Sequence, residues 1–218
     1  MPARSKIIKI NTNRIETDKI KEIAEVLRDE GIIVYPTDTF YGLGANCFSE
    51  KAVRKIYHLK RRRPSKPLSL LISGMDMVQD VALDIPPIFW ELTKEFWPGP
   101  LTIILKATRR LPKSLLGPKN SVGIRLPDMP WLQELMKETG FPLTATSANI
   151  SGGEEVTAPE KVSEIFYGKV ALIVDGGKAK GGLPSTVLDL TSPQAEILRQ
   201  GAVPRSLLEK YLARKVKP

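Results

Sequence analysis

Five cations fall within eight residues at Lys60-Arg61-Arg62-Arg63-Pro64-Ser65-Lys66-Pro67, a run closed by two prolines. Arginine presents a planar fork to phosphate or carboxylate oxygens, and lysine a point charge. A stiffened loop of this kind suits an anion, with a solvated charged rim as the plainer reading. Lys60 and Arg62 stand two apart, which in extended chain projects both to one side. Ser147-Ala148-Asn149 repeats that spacing with a hydroxyl and an amide. These neutral groups suit phosphate, ribose or an amino acid, and equally well close a turn on themselves. Thr37-Asp38-Thr39 reads either as a polar ligand edge or as an Asx or hydroxyl turn. Arg125 stands at a strand end, suited to a ligand carboxylate or to a surface salt bridge. Ser185, Thr186 and Arg199 lie beside further apolar runs, while Asp175 and Asp189 read as structural carboxylates.

Several chemistries are excluded by count. One cysteine, Cys47, and one histidine, His58, leave no intramolecular disulfide, no cysteine-based zinc site and no histidine cluster. A metal would be held by carboxylates and ligand phosphates, as Mg²⁺ usually is. Neither a G-x-x-x-x-G-K-[ST] loop nor a G-x-G-x-x-G turn after the first strand is present. If a nucleotide binds, side chains must replace the glycine cradle. The formal charge of +9 favours polyanions such as nucleotides, RNA or an acidic membrane surface. An aromatic content of 6% with no stacking motif argues against base-specific RNA recognition. No apolar run approaches the roughly 20 residues of a membrane helix, and no apolar signal core follows the basic start. The expectation is a soluble, cytoplasmic protein without membrane contact.

The elements that must position these side chains follow from periodicity. A hydrophobic content of 42% suffices for a sizeable core. Strands are expected at residues 7–10, 32–35, 68–72, 101–105, 121–126, 143–146, 170–174, 185–190 and 196–198. Ile20, Ile23, Ala24 and Leu27 mark one helix, with Thr17 as its cap and Gly31 as its stop. Ser49 caps a second helix, burying Ala52, Val53 and Ile56. Further helices are expected at residues 86–96, 130–138, 158–166 and 206–215. Residues 37–44 read as a polar turn with two glycines. Strands and helices interleave over short connections, predicting one α/β or α+β domain over residues 5–205 with a mixed sheet, then a C-terminal helix and basic tail at 206–218.

Ordered blocks carry a resemblance. They are Tyr35-Pro36-Thr37-Asp38-Thr39-Phe40-Tyr41-Gly42-Leu43-Gly44, Lys60-x-Arg62 with Lys66-Pro67-Leu68, Ser121-Val122-Gly123-Ile124-Arg125-Leu126-Pro127, and Ser147-Ala148-Asn149-x-Ser151-Gly152. Ser185-Thr186-Val187 with Leu198-Arg199-x-Gly201 forms a fifth. Together they resemble the YrdC-like family. The resemblance implies a YrdC/RibB-like fold, a single twisted mixed sheet flanked by helices around a positively charged cavity. It implies a nucleotidyltransferase that makes threonylcarbamoyl-AMP and pyrophosphate from L-threonine, bicarbonate or CO₂, and ATP. A downstream transferase complex would then modify tRNA adenosine. An RNA-binding protein of the same fold without synthase activity is the alternative, with tRNA or double-stranded RNA as its partner. Carried over by motif, Lys60, Arg62, Ser147 and Asn149 match the catalytic tetrad. Lys66, Ser121, Thr157 and Arg199, with Lys60, Arg62 and Asn149, match ATP contacts. Thr39, Arg125, Ser147 and Ser185 match threonine contacts, and Mg²⁺ would be held mainly by phosphates. No resident metal site is implied. Departures fall at Arg63, where many members have Pro, at Lys66, where many have Asn, and at Leu71, where some have His. The length is read as leaving no room for the C-terminal domain of longer relatives.

Overall fold

A computed structural model describes residues 4–213. The chain runs β1 (Lys6–Lys9), α1 (Thr17–Arg28), β2 (Ile33–Pro36), β3 (Tyr41–Gly44), α2 (Glu50–Lys60) and β4 (Ser69–Leu71). It continues through α3 (Val78–Val81), β5 (Ala82–Leu83), α4 (Pro87–Phe96), β6 (Leu101–Ala107), β7 (Ser121–Arg125) and α5 (Pro130–Thr139). Last come β8 (Leu143–Ser147), α6 (Pro159–Phe166), β9 (Leu172–Asp175), β10 (Thr186–Asp189), β11 (Glu196–Arg199) and α7 (Arg205–Ala213). The end of the expected helix at 206–215 and the basic tail, from residue 214 on, lie outside the described residues.

The strands form one mixed sheet in the order β1-β9-β2-β3-β8-β4-β7-β6-β10-β11, with β5 paired to β6. Parallel pairs such as β4 with β7 and β6 with β10 alternate with antiparallel ones such as β3 with β8 and β6 with β7. Strands distant in sequence thus become neighbours. Helices cover the sheet with their apolar stripes. Helix α1 buries Ile20, Ile23, Ala24 and Leu27, and packs against α5, which buries Trp131, Leu132, Leu135 and Met136. Helix α7 meets α4 through an edge-to-face contact between Tyr211 and Phe96, with ring centroids 5.4 Å apart.

Ser49 caps α2 as expected, its hydroxyl accepting from the Ala52 N–H at 3.1 Å. Thr17 does not cap α1: the cap position is Glu16, whose side chain turns away to accept from the Asn11 N–H at 2.8 Å. The larger correction is at residues 37–44. Only the first part is a turn, because Tyr41–Gly44 is a fully buried strand paired to β2. The glycines that suggest a turn have a packing reason instead. Tyr35 on β2 lays its ring across Gly42 and Gly44, and a Cβ on Gly44 would meet Tyr35 Cε1 at 2.6 Å.

Gly44→Ala should therefore overpack a ring that is completely buried. A loss of ~1–3 kcal/mol in denaturant unfolding is expected. An unchanged midpoint would mean that the Tyr35 ring yields freely, contrary to this packing.

Candidate active site

The turn left at Thr37 is a hydroxyl turn. Thr37 Oγ1 accepts from the N–H groups of Thr39 and Phe40 at 3.2 and 3.3 Å and donates to the Phe40 carbonyl at 2.7 Å. This leaves Asp38 free to face Arg125, and the two form an ion pair with side chains 12% and 10% exposed. Arg125 Nε also donates to the Gly99 carbonyl at 2.9 Å. Of the two readings of Arg125, a ligand carboxylate or a surface salt bridge, the structure shows a salt bridge, and it is buried. Asp38 Oδ1 is buried with no hydrogen-bond partner among the described residues.

The basic loop is also built differently from the extended chain its spacing suggested. Lys60 is the last residue of α2, and Arg61 adopts the left-handed conformation at the helix C-terminus (φ 50°, ψ 40°). The two-residue spacing therefore does not place Lys60 and Arg62 side by side. Lys60 is 1% exposed, and its ammonium donates to the carbonyls of Ser147 and Asn149 and to Asn149 Oδ1. The last two bonds are each 2.8 Å long. All three ammonium donors are used. Asn149 Oδ1 also accepts from Ser147 Oγ at 3.0 Å, and Asn149 Nδ2 donates to the Gly153 carbonyl at 2.7 Å. The Ser151 N–H closes the mesh on the Lys60 carbonyl at 2.9 Å. Ser147 and Asn149 do share a side, as their spacing suggested.

Arg62 and Arg199 follow the same pattern. Arg62 donates to the carbonyls of Lys66 and Pro67 at 2.8 and 2.9 Å. Arg199 donates to the Ser185 carbonyl at 3.1 and 2.9 Å and to Ser185 Oγ at 3.1 Å. Ser185 Oγ in turn shares a 2.8 Å hydrogen bond with Thr102 Oγ1. Gly201 fits against this backbone without room for a Cβ, which would stand 2.5 Å from the Ser185 carbonyl carbon.

These groups surround a cavity of about 190 Å³ lined from several strands of the sheet. Of the site residues expected from sequence, Thr39, Arg62, Arg125, Ser147, Ser185 and Arg199 line it. Lys60 and Asn149 stand behind Ser147 rather than in the wall. Lys66, Ser121 and Thr157 are not in the wall either. The Lys66 side chain is exposed, and Ser121 is buried beside Gly117. Leu71, at the departure noted above, contributes apolar surface to the wall. Tyr35, Phe40, Thr102 and Glu155 also line the cavity. None of these four carried a chemical signal in the sequence, because a loop glutamate or a strand tyrosine is unremarkable until the fold places it. His58 is exposed and Cys47 fully buried, which pushes its thiol pKa up. Asp175 and Asp189 accept from local backbone N–H groups at 3.0 and 2.7 Å.

Burial first, and the Arg62 charge second, pulls Lys60 down to about 7. Burial also lowers Arg62 and Arg199, which nevertheless remain cations. The site thus holds convergent positive charge, hydroxyls and a buried lysine titrating near neutrality, a combination suited to a polyanion beside a small polar ligand. Among the described residues, no group of three or more His, Cys, Asp or Glu could hold a metal, and no helix is long and apolar enough to cross a membrane.

Comparison with known proteins yields a family model, Sua5_yciO_yrdC (Telomere recombination), that matches residues 25–201. A threonylcarbamoyl-AMP synthase of Pyrococcus abyssi is 38% identical over 199 residues, covering 91% of this chain and 58% of the relative. A putative threonylcarbamoyl-AMP synthase of Methanocaldococcus jannaschii is 37% identical over 208 residues, covering 94% and 97%. The crystal structure of P. abyssi Sua5 complexed with L-threonine superposes with a TM-score of 0.89 at 38% identity, over 94% of this chain and 60% of that one. The chain thus spans little more than half the length of the P. abyssi relative.

Proposed function

Because the chain belongs to the Sua5/YciO/YrdC family, we propose that it is a nucleotidyltransferase that makes threonylcarbamoyl-AMP and pyrophosphate from L-threonine, bicarbonate or CO₂, and ATP. The observation that carries this reading is the cavity itself. It sets Arg62 and Arg199 beside Arg125, Thr39, Ser147 and Ser185 in one wall. In this reading Arg62 and Arg199 receive the triphosphate, while Arg125, Thr39 and Ser185 hold the threonine. The L-threonine complex recorded for P. abyssi Sua5 supports threonine as the small ligand. Ser147 lines the same wall, and Lys60 and Asn149 fix its loop.

The chemistry needs no protein nucleophile. The threonine amine attacks the carbon of CO₂ and loses a proton, giving a carbamate. A carbamate oxygen attacks the α-phosphorus of ATP, and the bond to the β-phosphate oxygen breaks with departure of pyrophosphate. The protein must align the reactants and oppose the negative charge that builds on phosphate. Two arginines oriented before substrate arrives perform the second task without reorganising. The Tyr35, Phe40 and Leu71 surfaces keep water from part of the wall. Magnesium fits this donor set only as a phosphate-held ion with at most one cavity carboxylate; there it would neutralise phosphate charge. The product is an activated carbamoyl group, and the downstream step assigned to it is transfer to tRNA adenosine by a separate complex. Exposed Arg61, Arg63 and Lys66 lie outside the cavity, so binding of RNA would not require the site.

Purified protein should release pyrophosphate from ATP only when threonine and bicarbonate are both present. Release that is indifferent to either would sink the assignment. Lys60 also gives the reaction a pH signature. A triphosphate nearby favours the charged lysine, so binding takes up a proton. ATP affinity should therefore fall as pH rises above about 7, by up to about tenfold per pH unit. In Lys60→Met, checked for a native circular-dichroism spectrum, the decline between pH 7 and 9 should be lost. Equal slopes in the two proteins would place the lysine outside the titration.

A further inference from the structure

One buried carboxylate has no part in the scheme above. Asp38 pairs with Arg125, and their side chains are only 12% and 10% exposed. Other ion pairs of the chain, such as Lys6 with Glu22 and Lys106 with Asp84, lie at the surface. The remaining arginines of the wall, Arg62 and Arg199, are held by carbonyl oxygens. A cation that meets a bare anion can thus be fixed in this cavity without an acidic partner. Arg125 has such a carbonyl as well, that of Gly99, and carries Asp38 in addition.

The pair is held from both sides. The Gly99 N–H donates to the Leu126 carbonyl at 2.9 Å, next to Arg125. The Thr37 hydroxyl turn holds Asp38, and the Gly181 N–H donates to the Thr39 carbonyl at 2.6 Å. Asp38 Oδ2 faces Arg125, whereas Oδ1 is buried with no hydrogen-bond donor among the described residues. Buried polar atoms are usually partnered, so one oxygen of this carboxylate keeps charge that no donor draws on. Arg125, Thr37 and Thr39 line the cavity, and Asp38 stands just behind them. Away from bulk water, its field reaches a ligand that lies on Arg125.

A fixed ion pair presents a positive and a negative end side by side. Its complement is a ligand with the same two charges reversed, as the zwitterion of an α-amino acid has. A bare carboxylate would be attracted by Arg125 and repelled by Asp38. We propose that Asp38 sets the amino-acid end of the cavity to take a zwitterion and to refuse simple carboxylates. It does so through Arg125 and by its field rather than by contact, and is therefore a positioning residue. The inference rests on the threonine reading of this end and names the group that decides what the end accepts. It also separates substrate from product: once the amine becomes a carbamate, its nitrogen carries no positive charge for Asp38 to attract.

NMR titration without ATP tests it. L-Threonine and (R)-3-hydroxybutyrate, which lacks only the amine, are titrated into wild type and Asp38→Asn. The asparagine oxygen can still accept from Arg125, so the arginine keeps its place. Wild type should prefer threonine by at least about tenfold. In Asp38→Asn threonine should bind more weakly and 3-hydroxybutyrate more tightly, shrinking that preference by roughly tenfold. The opposed signs exclude a folding defect, which would weaken both ligands together. Equal affinities in wild type would overturn the proposal whether or not the variant folds. So would an unchanged preference in Asp38→Asn, or the same factor on both ligands, which would leave Asp38 only the burial of Arg125 to compensate. Failure of wild type to bind either ligand would instead overturn the threonine reading, and this inference with it.

Discussion

Lys60, Arg62 and Arg199 are oriented by neutral oxygens, and the rest of the site depends on that choice of partner. A carboxylate partner would fix a cation equally well but would cancel its charge, as Asp38 does for Arg125. Carbonyl and amide oxygens fix the geometry without cancelling the charge of the two arginines. The cost is desolvation, greatest for Lys60, which is almost fully buried with no carboxylate against it. Its three hydrogen bonds offset that cost, and each ends on the segment leaving β8. Helix α2 and the loop after β8 are therefore locked together through one ammonium group. Lys60 thereby becomes a buried fastener that sets the Ser147 hydroxyl, while the more exposed arginines are left to meet an anion.

The mixed sheet makes this arrangement reachable. Ser147 ends β8, Arg125 ends β7 and Arg199 ends β11, and Ser185 directly precedes β10. These strands are far apart in sequence, yet the order β3-β8-β4-β7-β6-β10-β11 brings these four residues to one cavity. The antiparallel insertion of β3 then carries the Thr37–Phe40 turn over the same cleft. Rigid strand ends hold reactants better than a long loop, as befits a reaction that depends on alignment. The basic loop contributes only Arg62 and Pro67 to the wall. Most of the charge in that loop therefore stays at the surface.

Much of this was legible in the residues. Alternating β-branched runs gave nearly every strand within a residue or two, and the ordered polar blocks gave six residues of the cavity wall. What failed had physical causes. Glycines in β3 looked like turn formers because the ring they accommodate, Tyr35, belongs to another strand. Two-residue spacing at Lys60 and Arg62 suggested extended chain, but a helix end and a left-handed Arg61 intervene. Asp38 was read as part of a ligand edge or a turn, and its pairing with Arg125 was not legible because that partner is distant in sequence. Glu155 carried no motif at all. Pairings across the sheet and the placement of loop residues are tertiary facts, and local patterns do not contain them.

The central claim is that carbonyl-anchored arginines keep their charge for a triphosphate. ATP affinity of Arg62→Ala and Arg199→Ala, measured by titration beside unfolding midpoints, tests it most directly. Each loses a charged hydrogen-bonding group worth ~1.5–3 kcal/mol, so each affinity should fall by roughly 10–150-fold while the fold survives. Affinities within about twofold of wild type, in proteins that remain folded, would contradict the account.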